Sequence, residues 1–214
     1  MSIIVTGANR GIGAALLAHY RAEGRQVFGT ARNPGAGLER LEVTDPESHA
    51  RLARRLAGKP ISLLVCNAGV YPDKGQSLDG GYPAALWAAG LATNVTGVFL
   101  TIQSLLPNLR QGNGKIAIIS SQMASQARAP GGSYIYRASK AAALNLGRNL
   151  AVDLAPEGIA VGIYHPGWVK TDMGGKGAEI TAEAAAQGLA ARFAALSTAT
   201  TGCFESWDGT PIPF

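Results

Sequence analysis

Tyr136 and Lys140 lie four residues apart in Tyr136-Arg137-Ala138-Ser139-Lys140, a spacing that puts a phenol and an ammonium on one face of a helix. Free tyrosine titrates near pKa ~10, and a cation held beside it favours the phenolate, so the phenol can exchange protons closer to neutral pH. With this content of Tyr and Lys, a Tyr-x-x-x-Lys arises by chance in about one chain in six, and a solvated helix face is the ordinary outcome of such spacing. What stands around the pair decides its weight.

A second chemical signal opens the chain. Thr6-Gly7-Ala8-Asn9-Arg10-Gly11-Ile12-Gly13 follows a short apolar run and leads directly into Ala14-Ala15-Leu16-Leu17-Ala18-His19-Tyr20. Glycines there allow a tight turn, close approach to a pyrophosphate and packing of helix on strand, while the helix N-terminus supplies free N–H groups. Glycine is 28 of the 214 residues, so the spacing alone carries little; the strand before it and the amphipathic helix after it, stopped at Gly24, carry the specificity. The position that reads a ribose comes about twenty residues later, at the end of the second strand. The chain has Thr30-Ala31-Arg32 there, with no acid to accept from a 2′-hydroxyl. Arg32 and Arg10 instead offer guanidinium donors to a 2′-phosphate, which favours NADP(H) over NAD(H).

These groups need a sheet to hold them. Short β-rich runs alternate with longer segments of helical period, the pattern of βαβ units and a parallel sheet. Strands are expected at Ile3 to Thr6, Gln26 to Ala31, Glu39 to Val43, Ile61 to Asn67, Gly114 to Ser120, Ile159 to His165 and Gly202 to Trp207. Helices are expected at Ile12 to Glu23, Pro46 to Ala57, Pro83 to Arg110, Tyr134 to Leu154 and Ala182 to Leu196. Runs such as Ile61-Ser62-Leu63-Leu64-Val65 suit strands covered on both faces. The expected fold is therefore α/β: one Rossmann domain over residues 1–214 with a doubly wound parallel sheet of about seven strands. One link is short. Only seven residues separate Ala31 from Glu39, too few for a crossover helix, so a bare loop is expected, with antiparallel pairing as the alternative that register decides.

Composition narrows the function. The net charge of +5 comes from dispersed Lys and Arg; the cluster Arg51, Arg54, Arg55 and Lys59 reads as the wet side of a helix, without the aromatic interleaving that a nucleic-acid surface needs. A small anionic ligand accounts for the excess, and no nucleic acid is expected. Cys66 and Cys203 lack metal-ligand spacing and read as small buried thiols, so no metal site is expected. The apolar runs look strand-length, and Met1 to Gly7 lacks the regions of a signal peptide, so a soluble cytoplasmic protein with no membrane contact is expected.

Taken in order along the chain, these motifs resemble the short-chain dehydrogenase/reductase superfamily. Thr6 to Gly13 is similar to its Thr-Gly-x-x-x-Gly-x-Gly turn, Asn67-Ala68-Gly69 to the Asn-Ala-Gly after its fourth strand, Asn94 to its helix asparagine and Ser120-Ser121 to its strand-end serines. Tyr136 to Lys140 is similar to its Tyr-x-x-x-Lys, and Pro166-Gly167-Trp168-Val169-Lys170-Thr171 to its Pro-Gly turn beside the nicotinamide. Within the family, Tyr134 to Lys140, His165 to Met173 and the late Trp207-Asp208-Gly209 resemble the C-factor and sniffer-type carbonyl reductase branch.

The resemblance implies an NADP(H)-dependent oxidoreductase. Tyr136 would exchange the proton at the carbonyl oxygen, Ser121 would hold that oxygen, Lys140 would bind the ribose and lower the pKa of Tyr136, and Asn94 would anchor a water linking Lys140 to solvent. Ser120 and Ser125 compete with Ser121, and Asn94 has a second reading as the partner of a helix irregularity. Gly7, Asn9, Arg10, Gly11, Ile12 and Gly13 would cradle the pyrophosphate. Asn67, Ala68 and Gly69 would follow the adenosine ribose, Glu42 and Val43 the adenine, and Pro166, Gly167, Val169 and Thr171 the nicotinamide; Glu42 departs from the usual Asp.

Substrate-lining candidates are Tyr71, Met123, Tyr134, Trp168 and Met173, with Gly174-Gly175-Lys176-Gly177 as a movable lid. Their aromatic and thioether character suggests a small apolar or ring-bearing ketone or aldehyde, or the corresponding alcohol. An NADP(H)-binding sensor with little turnover is the rival function, and a halohydrin-lyase-type relative fits less well because position 140 is Lys. A homodimer through the long helices is the expected assembly, with a monomer as the alternative.

Overall fold

Among the described residues seven strands pair in parallel, the inner ones rich in aliphatic and β-branched residues: β1 (Ser2–Val5), β2 (Val27–Ala31), β3 (Leu38–Arg40), β4 (Ile61–Cys66), β5 (Lys115–Ile119), β6 (Ala160–His165) and β7 (Phe204–Ser206). They form one sheet in the order β3-β2-β1-β4-β5-β6-β7. The computed structural model describes residues 1–175 and 177–214. Among the described residues six α-helices connect the strands: α1 (Gly11–Ala22), α2 (Pro46–Arg55), α3 (Ala84–Leu91), α4 (Gly97–Gln111), α5 (Tyr134–Leu154) and α6 (Ala182–Ala195).

Strand side chains alternate between faces, and both faces are apolar. Ile3, Val5, Leu63, Val65, Ala117, Ile119 and Tyr164 pack against Leu16 and Leu17 of α1 and Leu189 and Phe193 of α6. Ile4, Leu64, Cys66, Ile116, Ile118 and Val161 pack against Leu52 of α2, Ile102 and Leu105 of α4, and Ala143 and Ala151 of α5. The winding reverses between β1 and β4, so the carboxyl ends of these neighbours open the crevice where ligands of such sheets bind.

The short link between β2 and β3 is a bare loop, residues 32–37, and the strands it joins are parallel, with Gly29 opposite Leu38 and Ala31 opposite Arg40. A six-residue return suffices because β3 runs beside only the last three residues of β2. The chain must travel back just two residue rises, roughly 7 Å at ~3.3 Å each. The strand is accordingly shorter than the expected Glu39 to Val43, and the next residues turn to start α2, whose N-terminus Asp45 caps by accepting from Glu47 N.

The long helix expected from Pro83 to Arg110 is interrupted. Ala92–Thr96 forms a π-helical turn between α3 and α4, with Asn94 on it. A π turn widens the helix by one residue and here carries the amide of Asn94 inward to a buried site; the apolar period on either side is unbroken, which is why the sequence reads as one helix. By length and composition the run Ala84–Gln111, which holds an 18-residue window of mean hydropathy 1.5, is long and apolar enough to cross a membrane, a test that core helices also pass, contrary to the expectation that all apolar runs are strand-length. In the fold Ile102, Leu105 and Leu109 of this run are spent on the core beside β4 and β5.

The seat of α5 on the sheet depends on Gly147. A Cβ there would lie 2.6 Å from Ile163 Cγ1 and 3.1 Å from Ile118 Cδ1. Gly147→Val is expected to destabilise the fold by about 1–3 kcal/mol through overpacking, read from urea unfolding; an unchanged midpoint would show that α5 can move off the sheet freely.

Candidate active site

The crevice between β1 and β4 is closed from beneath by a knot of hydrogen bonds. Thr6 Oγ1 accepts from Asn67 N and Ala68 N, each at 3.0 Å, and Asn67 Nδ2 donates to Thr6 O at 2.9 Å and Gly7 O at 3.2 Å. The turn that follows has no room for a side chain at Gly7 or Gly13. Gly7 has φ +65, and a Cβ on it would sit 2.9 Å from Ala68 Cα; a Cβ on Gly13 would sit 2.2 Å from Gly7 O. Helix α1 then starts without a side-chain cap and without an acidic residue in its first turn, so its leading N–H groups and its positive end are left for an anion. Residues 7–13 thus leave an uncapped helix start open to an anion.

Arg10 and Arg32, the expected donors to a 2′-phosphate, both stand exposed with carboxylates beside them. Arg10 pairs with Asp172 at 2.9 Å across the mouth of the turn, and Arg32 with Glu42 at 3.7 Å. Glu42 also accepts from Thr44 N and Oγ1. The Val43 side chain is committed to the core, where Gly97 of α4 packs on it.

Tyr136 and Lys140 are both buried on the first two turns of α5, at 8% and 5% exposure. Lys140 Nζ donates to Ile119 O at 2.9 Å and lies 5.7 Å from the centre of the Tyr136 ring. Burial lowers its pKa to about 8. The Tyr136 phenol is pushed up to about 12, by burial first; the Ser121 hydroxyl beside it acts the other way, and Tyr71 adds to the rise. This corrects the expected direction: in the protein alone, desolvation of the phenolate outweighs any help from the neighbouring ammonium. Of the three candidate serines, Ser121 faces the phenol. Ser120 Oγ is turned into the helix, donating to Lys140 O at 2.9 Å, and Ser125 Oγ is buried without a partner.

Asn94 is 1% exposed and fully engaged. Its Oδ1 accepts from Val70 N, and its Nδ2 donates to Val70 O and Ser139 Oγ, all at 2.9 Å. The side chain therefore has no donor left for a water, and its direct work is to fix Val70 and Ser139; Ser139 in turn donates to Tyr136 O at 2.8 Å. Gly69 admits these groups side by side, since a Cβ on it would lie 3.2 Å from Asn94 Oδ1 and 3.3 Å from Lys140 Nζ.

The segment after β6 folds over the same crevice. Gly167 turns with φ +86, Val169 is buried, and Thr171 rests against Gly11, where a Cβ would be 3.2 Å from its Cγ2. This brings Pro166 through Thr171 and the phosphate turn to one cleft. The substrate candidates rim it. Tyr71 stacks on Tyr136, ring centres 4.1 Å apart; Tyr134 meets Tyr82 edge-on at 5.1 Å; Trp168 is half exposed with Nε1 donating to Gly174 O at 3.0 Å; Met173 is also exposed. Met123 N donates to Ser121 Oγ at 3.1 Å, fixing the serine. Lys176 of the expected lid lies outside the described residues; within them, Lys74 Nζ donates to Met173 O at 2.9 Å. Sequence reasoning missed Tyr82, Lys74 and Asp73, which lie on an irregular loop where no periodicity marks a residue's neighbours. Among the described residues there is no group of His, Cys, Asp or Glu placed to hold a metal.

Comparison with known proteins agrees with this geometry. Residues 1–181 match the family described as short chain dehydrogenase. The chain is 34% identical to the 1-hydroxy-2-glutathionyl-2-methyl-3-butene dehydrogenase of Rhodococcus sp. (strain AD45), over 98% of this chain and 97% of that one. Among solved structures it is similar to an NADPH-bound carbonyl reductase from chicken fatty liver, with TM-score 0.90 and 30% identity over 100% of this chain and 98% of that one. It is also similar to the carbonyl reductase Sniffer of D. melanogaster, with TM-score 0.92 and 26% identity over 100% and 99% of the two chains.

The buried ammonium has a measurable cost. The unfolded chain holds the extra proton between the folded pKa of about 8 and the free value of 10.5, so stability rises with pH across that window and the full cost is borne below it. At ~1.4 kcal/mol per unit this is about 3 kcal/mol. Lys140→Met is therefore expected to gain on the wild type by about 2–3 kcal/mol more at pH 7 than at pH 10.5 in urea unfolding; a gap that does not change with pH would contradict the assignment.

Proposed function

We propose that this chain, which belongs to the short-chain dehydrogenase family, is an NADP(H)-dependent carbonyl reductase or alcohol dehydrogenase acting on small apolar or aromatic ketones, aldehydes or the matching alcohols. One observation carries the reading: a buried phenol and a buried ammonium share a pocket with a strand-end serine, beside a glycine cradle shaped for a dinucleotide. The cofactor would rest its pyrophosphate on residues 7–13 and its ribose near Asn67, Ala68, Gly69 and Lys140. Its adenine end would lie toward Glu42 and Val43, and its nicotinamide against Pro166, Gly167, Val169 and Thr171. Bound there, it would supply the hydride for reduction of a carbonyl or accept it from an alcohol.

The protein's own part is proton transfer and placement. Ser121 would hold the carbonyl oxygen next to the phenol, and Tyr136 would give that oxygen its proton or take one from an alcohol. Lys140, its charge confined by burial, would bind the ribose hydroxyls and favour the phenolate once the site is assembled. The water assigned to Asn94 would rest on the backbone of the π-helical turn, since the side-chain donors are spent.

Arg10 and Arg32 support NADP(H), as does the NADPH bound in the chicken enzyme; each would exchange its carboxylate for a 2′-phosphate. The Rhodococcus relative's name records a glutathionyl alcohol, which is larger and charged. Tyr71, Tyr82, Tyr134, Trp168 and Met173 instead give this chain an apolar rim and favour the smaller substrate. A cytoplasmic enzyme, paired as a homodimer through α4 and α5, completes the proposal.

Two measurements test it. Tyr136→Phe is expected to lower kcat for an aryl ketone by about 10²-fold or more while leaving NADPH affinity within about twofold; turnover that survives would remove Tyr136 from the chemistry. Arg32→Asp is expected to raise KM for NADPH by about tenfold or more with little change for NADH. Equal use of the two cofactors by the wild type, or turnover confined to polar sugars and acyl thioesters, would overturn the cofactor and substrate assignments respectively.

A further inference from the structure

Tyr136 sits in the first turn of α5, and first turns are where helices fray, because their leading N–H groups have no partner within the helix. A helix start is ordinarily secured by the residue just before it, which takes an extended backbone and accepts from the second or third helical N–H with its side chain. Ser133 does neither. Its φ is +49, in the left-handed region, and its hydroxyl is paired with the Tyr71 phenol. Counted from Tyr134, the second and third helical residues are Ile135 and Tyr136. Both are served from 62 and 63 residues earlier in the chain: Asp73 Oδ2 accepts from Ile135 N at 2.8 Å and Oδ1 from Tyr136 N at 3.2 Å. Asp73 is 1% exposed, a depth at which a carboxylate is costly unless hydrogen-bonded; the two amides and the positive end of the helix compensate it.

We propose that Asp73 is a positioning residue for Tyr136, its carboxylate capping α5 from the loop after β4 and holding the backbone of the reactive tyrosine where the phenol faces Ser121 and Lys140. The proposal rests on the oxidoreductase reading above. The loop is well anchored for this work. Val70 is clamped by the Asn94 amide on both its N–H and its carbonyl. Tyr71 stacks on the Tyr136 ring with an interplanar angle of 17°. Gly90 of α3 closes on the same helix end, where a Cβ would meet Ile135 Cγ2 at 2.6 Å and Pro72 Cγ at 3.4 Å. Four consecutive residues, Val70 to Asp73, thus connect the π-helical turn to the start of α5. The ring position of Tyr136 is set by Tyr71, its carbonyl by Ser139, and its amide by Asp73.

The test uses the full chain with Asp73→Ala and Asp73→Asn, and reads kcat, KM for NADPH and the exchange rates of the Ile135 and Tyr136 amides. The Ala variant is expected to lose about tenfold or more in kcat with KM for NADPH within about twofold, the split that separates placement of the phenol from loss of the cofactor site. Its two amides should exchange about tenfold faster or more. The Asn variant keeps an acceptor oxygen in place and should recover part of both. Folded variants with kcat within twofold of wild type would overturn the proposal, whether or not the amides stay protected, and so would a kcat loss matched by loss of NADPH binding. If the Ala variant does not fold, the Asn variant carries the same readouts. A wild type that binds NADPH but reduces no carbonyl would sink the oxidoreductase reading, while amide exchange would still show whether Asp73 holds Tyr136.

Discussion

An ammonium buried beneath a phenol is the constraint around which this fold is arranged. Lys140 has one protein acceptor within reach among the described residues, Ile119 O at the end of β5, so the end of the central sheet must stand directly under the second turn of α5. A side chain at Gly69 would press on both the ammonium and the Asn94 amide, its Cβ 3.2–3.3 Å from each, and Asn94 lies on the π turn that breaks the long helix at that level. The knot of Thr6 with Asn67 and Ala68 then ties the glycine turn after β1 to the loop after β4 that carries Gly69. Each contact is local, yet they run in one chain from the glycine turn after β1 to Tyr136.

Much of this was legible in the amino-acid sequence, and the reason differs by residue. The inner strands announce themselves because a parallel sheet buries both faces and leaves near-continuous aliphatic runs such as Ile61 to Val65, whereas the edge strands β3 (Leu38–Arg40) and β7 (Phe204–Ser206) carry one apolar residue each. The bare loop before β3 follows from chain length alone. Gly7, Gly13 and the Tyr136–Lys140 pair are readable because their spacing is set by backbone geometry. What could not be read is contact across the sequence. Asp73 looks like any loop acid until the fold brings it to the start of α5. The π turn at Asn94 leaves the apolar period intact and so leaves no trace in the pattern. The choice among Ser120, Ser121 and Ser125 depends on which way each hydroxyl turns at the end of a strand, and only coordinates supply that.

The sign of the Tyr136 shift shows how the parts act together. A cation near a phenol lowers its pKa, but the phenol's own burial raises it, and in the protein alone burial wins at both groups, with the phenol pushed up to about 12 and the ammonium down to about 8. The pocket is thus poised rather than complete. On the proposed function, Lys140 would bind the ribose of the cofactor, and it is the positive charge of an oxidised nicotinamide bound there, not the pair by itself, that would bring the phenol into the range of useful proton exchange.

The most direct measurement is the ionisation of Tyr136 itself, followed as the ultraviolet difference between wild type and Tyr136→Phe across pH, without cofactor and with saturating NADP⁺. The account predicts titration near 12 in the free protein and a fall of two or more units, on the scale of a strong charge partner, when the oxidised cofactor is bound (about 2–3 units). A phenol whose titration is the same with and without NADP⁺ would contradict it.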